Sequence, residues 1–258
     1  MDVYWIWLST LPYVGPVLQK RLLEAYGTPK SVYDAQIIES NKIKGMTKRA
    51  LNSIKENRSL HLSEAILTKT TQKGIHLLTY ENSSYPDHVK QCKTSPILYY
   101  YKGTLKSFDE AVAVVGSRRC TVYGKQVANE LSSYLASMNI PVISGFAKGI
   151  DSYAHTACIQ NGGYTISILA GGVDHCYPQE HLLLYEKILQ SGGLFLSVYP
   201  PGTKPSPKYF IQRNSLISAW ATKVVIVEAS EKSGAIWTAD FGKKQGKQVF
   251  AVPNRITT

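Results

Sequence analysis

Residues 111–124 read Ala-Val-Ala-Val-Val-Gly-Ser-Arg-Arg-Cys-Thr-Val-Tyr-Gly and join an apolar run to a glycine turn and a helix-like stretch. The apolar run is continuous rather than alternating, which indicates a strand that is buried on both faces of a sheet. Stretches of helical period, such as 123–138 and 178–190, separate it from five similar runs. These runs occupy 141–144, 165–170, 194–198, 223–227 and 248–252.

The regular alternation of strand and helix predicts an α/β fold over residues 109–258, with a doubly wound, Rossmann-like, mostly parallel sheet. Sheets of this kind bind ligands at the carboxyl ends of their strands. Residues 1–60 lack the alternation and predict a small helical N-terminal domain. Residues 61–108 predict a connector that packs on the main domain, with strands at 75–78 and 97–103.

Two turns in the N-terminal region, at 11–16 and 43–51, combine an apolar residue with a glycine and open a helix. They resemble paired helix-hairpin-helix units, whose backbone N–H groups can contact a DNA phosphate. Short helical adaptors share the same pattern. A docking or packing role for this region is therefore the favoured interpretation, and DNA contact is the alternative.

The composition favours a polyanionic partner. The chain of 258 residues carries a formal net charge of +11, with 44% hydrophobic and 18% charged residues. Such a surplus suits nucleic acid or an anionic membrane surface, although a basic protein without either partner is also possible. No apolar run approaches the length of a membrane span, and we expect a cytoplasmic protein that has no membrane partner. Its cysteines are widely spaced and are expected to be reduced thiols: Cys92, Cys120, Cys158 and Cys176.

The first strand exit contains Gly116, Ser117 and Arg118. Gly116 permits a sharp turn, and Ser117 with the following amides can form a nest that holds an anion at a helix start. Arg118 adds a guanidinium with bidentate phosphate geometry. The fingerprint G-x-G-x-x-G is absent, and no acidic residue follows the second strand to hold a ribose. We therefore expect no bound NAD, no other cofactor and no metal.

The second strand exit places Lys148 between Gly145 and Gly149. Consecutive β-α units usually form neighbouring strands, so Lys148 should lie near Arg118.

Asp151 and His155 follow on the next helix. They could perform acid–base chemistry, but the favoured interpretation is that Asp151 caps the helix and that His155 packs or bonds locally. We therefore predict no catalytic residues.

A later helix start places a guanidinium and an amide close together, at Arg213 and Asn214. Tyr209, Phe210 or Phe146 could stack on a base. Each of these aromatic residues is more often part of a core.

Seven strings occur in a fixed order: VGSR at 115–118, SGFAKGIDSYAH at 144–155, GVDHCYP at 172–178, YPPG at 199–202, FIQRNS at 210–215, SGAIWTA at 233–239 and VFAVPN at 249–254. In this order they resemble the DprA/Smf family over residues 111 to about 253. The helical residues 1–60 also fit the family's small N-terminal domain, but more loosely. Three places depart from the family pattern, namely Ser215, the stretch 235–237 and Asn254-Arg255.

The resemblance implies a homodimer without a catalytic centre, which binds single-stranded DNA, protects incoming DNA and loads the RecA recombinase in natural transformation. The family's DNA-binding charges map onto Arg118 and Lys148. The predicted site for single-stranded DNA comprises Gly116, Ser117, Arg118, Gly145, Lys148, Gly149, Arg213 and Asn214.

Two other functions are weighed against this one. One is a phosphoribohydrolase-like enzyme that binds nucleotides, since such enzymes share a related fold. Their string P-G-G-x-G-T-x-x-E is absent from this sequence. The most similar stretch, 170–174, lacks the second Gly-Thr and the Glu. A protein-docking module that uses the N-terminal helices, without direct DNA binding, is the third possibility.

Overall fold

The computed structural model of the chain describes residues 1–231 and 233–253. Its N-terminal part is helical, as predicted. The elements within residues 1–60 are α1 (Asp2–Thr10), α2 (Pro16–Tyr26), α3 (Pro29–Asp34), a 3-10 turn (Ser40–Lys42) and α4 (Lys48–Glu56). The helix α5 (His61–Gln72) follows in the segment 61–108, for which only strands were predicted. Proline occupies the first turn of α2 and of α3, where its missing N–H costs nothing. Thr47 caps α4 by accepting the N–H of Ala50 at 3.1 Å.

One eight-stranded sheet forms the centre of the described structure, in the order β1-β2-β6-β5-β4-β3-β7-β8. Its strands are β1 (His76–Thr79), β2 (Leu98–Gly103), β3 (Val112–Val115), β4 (Val142–Ser144), β5 (Thr165–Ile168), β6 (Leu194–Ser197), β7 (Lys223–Ile226) and β8 (Gln248–Ala251). Strands β3 to β8 are parallel, whereas β1 and β2 join antiparallel at the β6 edge. The predicted α/β fold with a mostly parallel sheet is confirmed.

Helices cover both faces of the sheet, which makes it doubly wound. They are α6 (Asp87–Lys90), α7 (Val122–Ser137), α8 (Ile150–Gln160), α9 (Leu182–Gln190), α10 (Pro207–Trp220) and α11 (Gly234–Lys244). Val112 and Val114 of β3 pack in the core with α7 and α8. Ala113 and Val115 point the other way and pack with α10 and α11. Burial on both faces explains why this strand has a continuous apolar sequence.

The strand order places a crevice between β3 and β7. After β3 the chain builds β4, β5 and β6 on one side, and it then crosses to build β7 and β8 on the other. The loops after β3 and β7 therefore run in opposite directions and leave space at the carboxyl ends of these two strands.

The helical N-terminal part packs on the segment predicted as a connector. The buried Lys20 of α2 donates through Nζ to the carbonyl oxygens of Cys92, at 2.8 Å, and Lys90, at 3.1 Å. Leu98 and Tyr100 of β2 belong to the same apolar cluster as α1 and α2. The division at 60 and 108 stays a prediction, and the segment between these positions contributes β1 and β2 to the central sheet. Among the described residues, no helix has both the length and the apolar character to cross a membrane.

Candidate nucleic-acid interface

A cavity of about 720 Å³ opens in the crevice between β3 and β7. Five of the predicted site residues line it: Gly116, Ser117, Arg118, Arg213 and Asn214. A smaller pocket of about 60 Å³ adjoins it and is lined by Gly145 and Lys148. Arg118 and Phe210 line both, so the two pockets form one continuous surface at the carboxyl edge of the sheet.

The exits of β3 and β4 hold each other in place. The two strands pair in parallel, as the chain order predicted. Beyond them, the N–H of Ile150 donates to the carbonyl oxygen of Ser117 at 3.2 Å. Gly149, which precedes Ile150, lies against the backbone of Ser117 and Arg118. The structure therefore brings Arg118 and Lys148 to the exits of neighbouring strands.

The two cations differ in their surroundings. Arg118 is exposed, and its guanidinium lies 5.5 Å from the ring centre of Phe210. Lys148 donates through Nζ to Glu180 Oε2 at 2.6 Å, and both side chains are about half exposed. Exposed pairs of this kind contribute about 0–1 kcal/mol, so an incoming phosphate can displace the carboxylate. Sequence reasoning missed Glu180, which lies 32 residues further along the chain.

Glu228 takes up part of the anion nest expected at the β3 exit, so the structure differs from that expectation. The N–H of Ser117 donates to the carbonyl oxygen of Glu228 at 2.6 Å. The Glu228 carboxylate also accepts bonds from the N–H and the hydroxyl of Thr121, at 3.0 and 2.8 Å. A carboxylate suits this position because the positive end of the α7 dipole lies there. The Arg118 side chain is therefore the exposed cation that this loop offers to an anion, while the N–H of Ser117 is already bonded within the protein.

Arg213 is buried, with 5% of its surface exposed, and holds the strand exits together. Its Nη1 donates to the carbonyl oxygens of Gly145 and Ile168, the latter at 2.9 Å. A β-carbon at residue 145 would lie 2.6 Å from the Arg213 Cζ, so glycine is required there by the guanidinium. Burial lowers the pKa of Arg213 to about 10 even though Asp151 opposes the shift. Asn214 donates to the carbonyl oxygen of Gly234 at 2.9 Å.

Asp151 does not cap α8, so that prediction is wrong. The helix begins at Ile150, and Gly149 occupies the cap position. The buried Asp151 carboxylate instead accepts the N–H groups of Gly145 at 3.1 Å and Ala147 at 3.2 Å. Burial raises the pKa of Asp151, against the opposing effects of Arg213 and these N–H donors. The backbone of Gly145 is thus fixed twice: Asp151 accepts its N–H, and Arg213 donates to its carbonyl oxygen.

His155 packs and bonds locally, as predicted. Its Nδ1 lies 2.7 Å from Thr165 Oγ1, whose hydroxyl donates to the carbonyl oxygen of Val142 at 2.9 Å. Because the Thr165 hydroxyl hydrogen is used in that bond, Nδ1 of His155 must be the donor to Thr165 Oγ1. The other ring nitrogen, Nε2, is then an acceptor, and it is buried without a hydrogen-bond partner among the described residues. Burial, with His181 and Arg213 nearby, lowers the pKa of His155 to about 3. Its neutral ring is part of the core beneath the β4 exit.

The aromatic candidates divide between core and surface. Phe146 is fully buried and packs edge-on against Phe195, with 5.2 Å between ring centres, so it belongs to the core. Phe210 is half-buried and lies 6.0 Å from Tyr177, which is 51% exposed. Tyr177 was not among the predicted stacking residues. Its position directly after a glycine-rich strand exit was the available signal.

Comparison with known proteins identifies the family. The model for DNA recombination-mediator protein A matches residues 76–258. The chain belongs to the DprA/Smf family. Protein Smf of Synechocystis is 32% identical over 258 residues, which cover 98% of this chain and 65% of that protein. The DNA processing protein DprA of Bacillus subtilis is 37% identical over 193 residues, which cover 74% of this chain and 65% of that protein.

Solved DprA structures share the architecture. The X-ray structure of DprA from Streptococcus pneumoniae aligns with a TM-score of 0.79 at 30% identity, covering 99% of this chain and 87% of that one. DprA from Helicobacter pylori, described for its unique single-stranded DNA binding mode, aligns with a TM-score of 0.64 at 31% identity. That alignment covers 71% of this chain and 82% of the Helicobacter chain.

The positions that depart from the DprA/Smf strings lie in different surroundings. Trp237 lines the large cavity and is 51% exposed. The hydroxyl of Ser215 donates to the carbonyl oxygen of Gln212 within its own helix at 2.7 Å. Asn254 and Arg255 lie outside the described residues.

Proposed function

We propose that this DprA/Smf protein binds single-stranded DNA along the carboxyl edge of its sheet. The observation that carries the proposal is the position of Arg118 and Lys148 on adjacent strand exits, beside a large open cavity. A net charge of +11 adds the long-range attraction that a polyanion requires. Phosphate contacts carry no base information, so the binding should tolerate any sequence.

Each member of the site has a distinct role in this proposal. Arg118 and Lys148 contact phosphates, and Phe210 and Tyr177 offer ring faces to bases. Gly116 and Ser117 form the cavity wall. The remaining members hold the strand exits in shape through their hydrogen bonds and close approaches: Gly145, Gly149, Arg213 and Asn214.

The wider role is proposed from family membership. We propose a cytoplasmic homodimer that protects incoming DNA and loads RecA during natural transformation, without a catalytic centre. Release of free base from nucleoside monophosphates by a clean preparation would overturn the non-enzymatic part. Co-purification of RecA that survives nuclease treatment would support the loading part.

Replacing Arg118 and Lys148 together with glutamine should weaken binding of single-stranded oligonucleotides by at least about tenfold, or roughly 1.4 kcal/mol. Two phosphate contacts are lost, so the salt dependence should also become shallower. Fluorescence anisotropy over a salt series measures both effects. The matched control is Lys243→Gln with Lys244→Gln, which removes the same charge from the exposed last turn of α11, at the opposite edge of the sheet. Equal losses in the two double variants would refute the site assignment.

Replacing Glu180 with glutamine should strengthen binding about two- to fivefold, because Lys148 loses a competing carboxylate and the surface loses a negative charge. The same titrations measure the change, with Glu186→Gln on α9 as the control for charge alone. An affinity that stays at the wild-type value would show that Glu180 does not compete with DNA for Lys148.

A further inference from the structure

The end of helix α5 is docked on the loops that follow β5 and β6. Lys73, directly after α5, forms an ion pair with Asp174, whose side chain is only 7% exposed. The Asp174 carboxylate also accepts the N–H of Gly202 at 2.8 Å. Burial raises the pKa of Asp174, but the hydrogen bonds from Lys73 and Gly202 outweigh this effect and hold the pKa below its ordinary value. A half-buried polar anchor thus fixes α5 at the carboxyl edge.

Lys69 lies one turn earlier on the same face of α5 and reaches the same loop. Its Nζ lies directly against Gly202, where any β-carbon would collide with it. The Lys69 residue is exposed, and it forms no ion pair with any residue that the structure describes. Its ammonium group therefore lies at the loop after β6 and keeps its hydrogen-bonding capacity for a ligand.

The loop that Lys69 contacts borders the proposed DNA site. Phe210 and Tyr177 line the small pocket that contains Lys148, and both also line a further depression whose wall includes Pro205. Pro205 belongs to the same loop as Gly202. The exits of β3, β4, β5 and β6 follow one another along the edge, and neighbouring strands are about 4.8 Å apart. About 14 Å therefore separates the first and last of these exits.

We propose that α5 extends the single-stranded DNA path and that Lys69 binds a backbone phosphate beyond the β6 exit. The inference rests on the proposed function, because it takes the strand-exit surface as the first part of the path. The ligand is an extended polyanion, and the Lys69 ammonium meets it as a point charge. The segment 61–108 is then part of the DNA-binding surface through α5, and the glycine turns at 11–16 and 43–51 are not required for it.

The test compares the binding of oligothymidylates of about four and about sixteen nucleotides. These lengths are the lower and upper ends of the usual size of a binding site for single-stranded nucleic acid. Lys69→Gln should bind the longer oligonucleotide about fivefold more weakly than the wild type and should reduce the salt slope by about 0.7, one phosphate contact. Its affinity for the shorter oligonucleotide should stay within about twofold of wild type, because that ligand can be held at Arg118 and Lys148. Lys243→Gln is the control for charge and should match the wild type at both lengths.

The possible outcomes separate this inference from the proposed function. Wild-type affinity of Lys69→Gln for the longer oligonucleotide would overturn the extension and leave the strand-exit site intact. An equal loss at both lengths would also overturn it, because Lys69 would then act on the whole site. Failure of the wild type to bind either oligonucleotide would refute the proposed function itself. A lowered melting temperature with an unchanged salt slope would show that Lys69 only helps to dock α5.

Discussion

Replacing Arg213 with methionine should lower the free energy of unfolding by about 3–5 kcal/mol. The guanidinium is buried and donates to the carbonyl oxygens of Gly145 and Ile168. Methionine fills similar volume but leaves both acceptors without this donor. It also removes the positive charge that faces the buried Asp151 carboxylate.

Urea unfolding of the wild type and the variant measures the loss. Arg119→Met is the matched control, because Arg119 is exposed one residue beyond Arg118 and should change stability by less than about 0.5 kcal/mol. A double-mutant cycle with Asp151→Asn isolates the electrostatic part, since the penalty for removing Arg213 should shrink when the carboxylate is already neutral. A loss below about 1 kcal/mol for Arg213→Met would contradict the structural role.

Lowering the pH should destabilise the protein through His155. The pKa of this histidine is about 3 in the folded protein, against an ordinary value of 6.5. Between these two values the unfolded chain binds a proton that the folded protein excludes, so stability falls as the pH is lowered. Below about pH 6.5 one proton gives about 1.4 kcal/mol per pH unit, so the loss between pH 7 and about pH 4.5 should reach about 2.5 kcal/mol.

The measurement is the free energy of unfolding in urea over this pH range. His155→Gln should flatten the pH dependence by about one proton. His61→Gln, which removes an exposed imidazole, is the control. Should His155→Gln fail to fold, the imidazole resonances of the wild type provide a second test, because the His155 signal should not shift between pH 7 and about pH 5. A midpoint near 6.5 for that signal would refute the buried, neutral ring.

Much of the fold could be predicted because its signals are local. A strand buried on both faces must be apolar at every position, as residues 111–115 are, and this requirement is visible without any tertiary information. The closeness of Arg118 and Lys148 followed from the rule that consecutive β-α units form neighbouring strands. The sequences of β1 and β2 gave no comparable signal for their place in the sheet. Their antiparallel pairing depends on β6 being the edge strand of the parallel part, which only the folded structure shows.

The differences at the candidate site come from contacts that the local sequence pattern does not show. The anion nest at the β3 exit was predicted from local amides, but Glu228 occupies that position from 107 residues away. Asp151 was predicted as a helix cap because caps are local, whereas its carboxylate binds the loop before the helix. Arg213 was predicted as a candidate for DNA contact, but its buried guanidinium joins the ends of two separate strands, β4 and β5. Glu228 and the carbonyl groups that Arg213 binds are distant in sequence, whereas the N–H groups that Asp151 binds are only four and six residues away.

The sequence alone determined that this chain forms a parallel α/β sheet with cations at adjacent strand exits, because alternation, burial and turn glycines act over a few residues. Only the tertiary structure decided which charges are available to a ligand. Arg213 is bound inside the protein, Lys148 is paired with Glu180, and Arg118 and Lys69 are exposed at the edge without an ion pair among the described residues. Whether a charged group is free depends on the partners that folding brings to it, and those partners come from distant parts of the chain.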